Sequence, residues 1–415
     1  MRSLSLLATT LLLAACGQQS DTTADAGSST PAPTYEETLR LALEQAQPGT
    51  VIEIPEGVHD FSRSLVLNTA GVTLRGAGAD RTILSFRGQV AGAEGLLVNA
   101  GDFTIEDLAI EDTVGDALKI NGGKNIVIRR VRTEWTDGPA TENGAYGIYP
   151  VRTENTLIED SVAIGASDAG IYVGQSRNVV VRNNRAERNV AGIEVENTIG
   201  ADVYGNLVRE NTGGILVFNM PDLPQPGHST RVYQNRIEDN NTPNFGAEGT
   251  PVASVPAGSG VVINSNDRVE IFDNFISRNE TANVIVSSYF ATGYQGTREL
   301  APGYDPWPET IFIHGNRFEG GGSSPDGLKL QALRLAVAGL GGRLPDVLWD
   351  GYANPAKLDG EGRLLPEFAI CLDNDPAQVL NADLPNDSAR LVTGDRQHRC
   401  QHAPLPAVDL LPLPG

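Results

Sequence analysis

Two glutamates two residues apart, Glu194 and Glu196 in AGIEVEN, are the sharpest chemical feature of this 415-residue sequence. On a β-strand such a pair shares one face, so the two carboxylates repel each other unless a cation lies between them. Calcium accepts oxygen ligands of this kind, which makes Glu194 and Glu196 a candidate metal pair. Tyr149, Tyr172, Phe218 and Asn219 recur at neighbouring positions of the flanking segments. Aromatic faces beside carboxylates suit sugar rings, so these four and the two glutamates form the candidate binding set. Acid–base chemistry would draw on His228 as general base, Tyr149 or Tyr172 as proton donor, Arg152 to neutralise a substrate carboxylate, and Asp168 as a further catalytic group. The plainer alternative is a tyrosine ladder and an acid pair that decorate a sheet.

What must position these residues is a repeat. VVVRNNRAERNVAGIEVEN and ADVYGNLVRENTGGILVFN share an apolar anchor, Asn three and eight places later, and then Gly-Ile, with a shift of 22 residues. The anchor recurs at Leu74, Ile105, Ile128, Ile158, Val181, Val203, Val232, Ile271 and Ile313. A basic period of 22 to 23 residues with insertions signals a solenoid. Apolar and polar residues alternate within each unit, so it reads as three short strands. The fold class is all-β, a solenoid of about nine coils of parallel strands, each stacked on the next. Asn184, Asn206, Asn235, Asn274 and Asn316 should form one side-chain ladder, and Asn189, Asn211, Asn240 and Asn279 a second. Asn also tolerates the left-handed backbone of a tight corner. So many amides would also suit a sugar site, but their regular spacing favours a scaffold. The outward residues stack in columns: Lys119, Tyr149, Tyr172, Glu194, Leu216, Val262, Ile285, and beside it Asn121, Val151, Gly174, Glu196, Phe218, Asn264, Ser287.

The repeat and the opening PGTVIEIPEGVHDFSRSLVL…GVTLRGAG together resemble the right-handed parallel β-helix of the pectate-lyase-like superfamily. GAYGIYPVRTENTLIED…SDAGIYVGQ…NVAGIEVEN…NTGGILVFN is similar to a group of exported bacterial β-helix-repeat lipoproteins of unproven activity. The match covers Gln47 to Gly322. The superfamily implies a polysaccharide ligand, with uronic-acid glycans foremost, and a lyase or epimerase if the chain is an enzyme at all. The Glu194-x-Glu196 pair is similar to the calcium site of one branch of uronan lyases. Those enzymes carry a Lys and an Arg where Ala201 and Asp222 stand here. Asp305-Pro306-Trp307 lacks the His of the Asp-Pro-His motif of mannuronan epimerases, and no Asp-rich polygalacturonase motif is found. The narrower group implies the alternative, a non-catalytic scaffold acting with another exported protein such as a c-type cytochrome.

The remaining segments fit export. Arg2, an apolar run to Leu13 and Leu-Ala-Ala-Cys resemble a lipoprotein signal ending at a lipidated Cys16, so residues 1–16 are read as the signal. The absence of Asp after Cys16 points to the outer membrane. Residues 17–33 lack apolar periodicity and read as a tether. The β-helix domain spans 34–322 and begins with a capping helix. Thr34 and Glu37 make a capping box, and Leu39, Leu41, Leu43 and Ala46 supply an apolar face. Residues 323–415 read as a loop-rich capping tail with a helix near Leu328 to Val337, folding back along the coils. Cys371 and Cys400 are expected to form a disulfide there; the His398, Cys400 and His402 cluster is the metal-ligand alternative. The chain has no CxxCH for haem and no nucleotide motif, and its net charge of -21 argues against nucleic acid.

Overall fold

The computed structural model describes residues 33–292, 300, 302–394, 396–410 and 413. The signal segment with Cys16, and all of the tether except Pro33, lie outside the described residues. Tyr35 to Gly415 forms one compact unit.

Its strands pair in parallel from coil to coil, and the nine anchors fall in one unbroken register from Leu74 to Ile313. The register also continues to Ile52 before Leu74 and to Leu372 after Ile313. The nine anchors are buried to 1% exposure or less, because an inward residue of each coil meets its equivalent above and below. The fold is an all-β parallel β-helix.

Both asparagine ladders are present. Asn184 Nδ2 donates to Asn206 Oδ1 at 3.1 Å, Asn206 to Asn235 at 2.9 Å, Asn235 to Asn274 at 3.0 Å and Asn274 to Asn316 at 2.9 Å. Asn189, Asn211, Asn240 and Asn279 are linked in the same way. Each Oδ1 also accepts the backbone N–H of the preceding ladder residue, so one amide satisfies two donors of the coil before it. The left-handed corner is not at the ladder residue itself, as expected, but one place before it. Asn183, Gln234 and Asp273 have φ of 56°, 54° and 54°, and Arg188, Glu210 and Asp239 have φ of 56°, 57° and 56°. The turn therefore uses a solvent-facing neighbour of almost any type, while the asparagine is selected for its buried amide.

Helix α1, Tyr35–Gln45, covers the first coil. Leu39, Leu43 and the following Ala46 join the main core, while Leu41 is half exposed, being two places from Leu39 on a 3.6-residue period. At the other end, the segment after 322 contains helix α2, Gly327–Ala338. It also supplies strands to the stack: Val347–Trp349 pairs with Ala282–Ser287, Ile370–Asp373 with Ile311–His314, and Val379–Asn381 with Val347–Trp349. Cys371 and Cys400 form the expected disulfide. The final residues run back along the coils, where Leu405 N–H bonds Glu270 Oε2 and Val408 N–H bonds Asp202 Oδ2. His314 stacks in one column on Phe272, Tyr233 and Tyr204, as its place after an anchor implies.

Candidate functional site

The outward columns hold as read. Lys119 pairs with Tyr149, Tyr172 with Glu194, and Glu194 with Leu216, while beside them Gly174 pairs with Glu196 and Glu196 with Phe218. They do not form an open surface. Tyr172 and Glu194 are each 3% exposed and Phe218 is 5% exposed. Leu216, Val262 and Phe218 make the outward face apolar, and Met220, Val252, Val255 and Tyr289 from the insertions pack on it as a second core. The insertions thus serve as a cover, which leaves Tyr146 and Tyr149 half-buried at its edge.

At that edge three tyrosines surround three carboxyl groups. The Tyr146 ring lies 4.4 Å from Tyr149 and 4.6 Å from Tyr172, and Tyr149 meets Tyr172 edge-on at 4.9 Å. Tyr172 Oη donates to Glu196 Oε1 at 2.7 Å, and Tyr146 Oη to Asp168 Oδ2 at 3.4 Å. Tyr172 reaches Glu196 only because Gly174 lies under its ring. A Cβ at position 174 would meet Tyr172 Cε1 at 2.3 Å.

Asp168 and Glu194 lie near enough for the charge of Asp168 to raise the Glu194 carboxyl, and a hydrogen bond between two such groups requires a proton on one of them. Glu194 Oε2 is buried and has no hydrogen-bond partner. Burial, then the charges of Asp168 and Glu196, push the Glu194 carboxyl well above the usual range. Burial and Glu196 push Asp168 up to about 7. Glu196 is raised by burial against the opposing hydrogen bond from Tyr172. Burial also lifts Tyr149 to about 12, and Tyr146 and Tyr172 well above their usual value, so all three hydroxyls are donors at neutral pH rather than bases. The arrangement can hold and transfer one proton near neutrality.

Two cations stand at the rim. Lys119 Nζ lies 4.9 Å from the centre of the Tyr149 ring and bonds Asp116 at 3.1 Å. Arg152 is exposed and bonds Asn121. Other candidates fall elsewhere. His228 pairs with Ile199 and Asp267 on the adjacent sheet, and its imidazole Nδ1 meets Ser229 Oγ at 2.9 Å. Asn219 is spent on structure, its Oδ1 accepting Gly227 N–H and its carbonyl accepting the Tyr304 hydroxyl. Glu196 accepts the Tyr172 hydroxyl, while Glu194 is buried near Asp168. Among the described residues, the acidic group whose ligand oxygens all lie within 4.8 Å is Asp267, Asp305 and Glu309. Tyr146 escaped the sequence reading because it precedes the Gly-Ile pair at a corner, outside the alternation that defines the columns.

Residues 80–299 match the family described as periplasmic copper-binding protein (NosD), more than half of the chain. The chain belongs to this family. None of the curated proteins matches it in sequence. Among solved structures, the A-module of the mannuronan C-5 epimerase AlgE4 from Azotobacter vinelandii is 18% identical. That match covers 83% of this chain and 91% of the other, with a TM-score of 0.51. The AlgE6 A-module of the same organism is also 18% identical, covering 82% and 88% with a TM-score of 0.49. DFA-IIIase from Arthrobacter chlorophenolicus A6 is 11% identical, covering 79% and 90% with a TM-score of 0.46. At these identities the likeness bears on the fold, and the family is a periplasmic one.

Proposed function

We propose that this is a periplasmic, lipid-anchored β-helix protein that binds an acidic, uronic-acid-containing polysaccharide at the tyrosine–carboxyl edge and transfers a proton there, as a lyase or epimerase does. The observation that carries this reading is the gathering of Asp168 and Glu196 on the hydroxyls of Tyr146 and Tyr172, beside the buried Glu194. A uronate carboxylate would be met by Arg152 and Lys119. Asp168, poised near neutrality, would take the proton beside that carboxylate, and a tyrosine hydroxyl would supply one in return. The test is incubation of the full chain with mannuronate and galacturonate oligomers in deuterated water. Exchange at the carbon beside the carboxylate, or formation of an unsaturated product, is expected, and Asp168→Asn should abolish both. Absence of binding by calorimetry together with absence of exchange would sink the proposal.

Copper, which the family's description names, favours imidazole and sulfur ligands. Among the described residues the Cys371 and Cys400 sulfurs are bridged, and no three His and Cys side chains gather. These residues do not fit copper. The second reading, a non-catalytic scaffold for an exported partner such as a c-type cytochrome, is favoured by the apolar outer face of α2, where Leu328 is 85% and nearby Leu340 is 93% exposed.

A further inference from the structure

A second acidic cluster lies at another corner of the solenoid. Asp267 opens the strand Asp267–Phe272, and Asp305 and Glu309 come from the segment that leads into the next coil. One carboxylate oxygen of each lies within 4.8 Å of the other two. The backbone sets these positions: Glu309 N–H donates to Asp267 Oδ1 at 3.1 Å, Trp307 N–H to Asp305 Oδ1 at 3.2 Å, and Arg268 N–H to the Glu309 carbonyl at 2.9 Å. The ammonium of Lys357 lies against Asp305 Oδ2 at 3.3 Å and touches Glu309 Oε2. One positive charge thus faces three carboxyl groups. Glu309 is only 2% exposed, and its Oε1 is buried with no hydrogen-bond donor, although the Asn354 side chain stands near the carboxylate. A buried carboxylate oxygen left without a partner is costly and points to a missing cation.

We infer that Asp267, Asp305 and Glu309 form a binding site for a hard divalent cation, calcium or magnesium, which displaces the Lys357 ammonium. The donors are all oxygens, as such ions require, and water would complete the shell. Lys357 has a quarter of its side chain exposed and a flexible four-carbon stem, so it can swing to solvent. The ion would fasten the segment around Asp305, including Tyr304, whose hydroxyl holds the Asn219 carbonyl at 2.6 Å. The site is separate from the tyrosine–carboxyl edge, and the two proposals stand or fall independently.

The test uses the full chain with calcium or magnesium alone in isothermal titration calorimetry, and terbium luminescence sensitised by Trp307. One ion per chain is expected. Lys357→Met should tighten binding about tenfold by removing the competing charge, and Asp305→Asn should weaken it at least about tenfold, with circular dichroism unchanged. If neither the parent nor Lys357→Met binds any of the three ions, or if Asp305→Asn binds calcium as the parent does, the inference is wrong.

Discussion

Replacing Asp168 by Asn tests its raised carboxyl through stability, independently of any substrate. Asp168 titrates near 3.8 in an ordinary setting and is pushed up to about 7 in the fold, chiefly by burial. The folded chain therefore holds a proton that the unfolded chain releases. A raised carboxyl contributes stability that is complete below about pH 4 and is lost as pH rises through the folded value. Each unit of pH across that window is worth about 1.4 kcal/mol. From pH 5 to pH 7 the loss attributable to Asp168 is then on the order of 2 to 3 kcal/mol, levelling off above. Asn keeps the shape and cannot titrate, so Asp168→Asn should lack this slope. The Glu194 carboxyl should stay raised in the variant, because burial is the leading cause of its shift. The assay is urea unfolding of parent and variant at four values of pH between 5 and 8. The stability difference should move steadily in favour of the variant as pH rises. A difference that stays flat over that range would mean that Asp168 is ionised throughout, and its role as a group poised near neutrality would have to be abandoned.

Three further outcomes are expected. Asn211→Ala removes an amide that accepts from Asn189 and donates to Asn240 and the Ala186 carbonyl, so it should cost about 4 kcal/mol in chemical denaturation. Gly174→Ala puts a Cβ into the Tyr172 ring and should cost about 1 to 3 kcal/mol in thermal unfolding, with loss of uronate binding by calorimetry. Cys16→Ser should move the protein from the membrane fraction to the soluble one on fractionation of cells.

The fold was legible because its determinants are local and repeated. Val181 and Val203 sit 22 residues apart, and the intervening positions answer one another one by one. A buried amide with a fixed partner in every coil leaves a mark at a fixed spacing. The strands Val347–Trp349 and Ile370–Asp373 join the same sheets without an asparagine at the usual offset, so no period exposes them. The site was legible in part for the same reason: Tyr172, Glu194 and Glu196 belong to the columns, and Asp168 lies just before one of them. What covers them was not. Met220, Val255 and Tyr289 come from insertions of unequal length whose contacts follow no repeat, and that cover turned an expected surface patch into a buried one. Burial in turn raises the Asp168 and Glu194 carboxyls, since a charge withdrawn from water prefers to be neutralised.

The asparagine ladders have a consequence for how such a chain changes over generations. Each rung speaks only to its immediate neighbours, and the gaps between successive rungs of the Asn184 ladder, 22, 29, 39 and 42 residues, all return to the same register. A whole turn can therefore be lost or duplicated in frame and leave every remaining rung with a matching partner. Heritable insertions and deletions in this molecule fall into two kinds: those in the connecting loops, which the stack ignores, and those of one complete turn, which lengthen or shorten it. A change of a few residues inside a rung-bearing strand belongs to neither kind and should be purged.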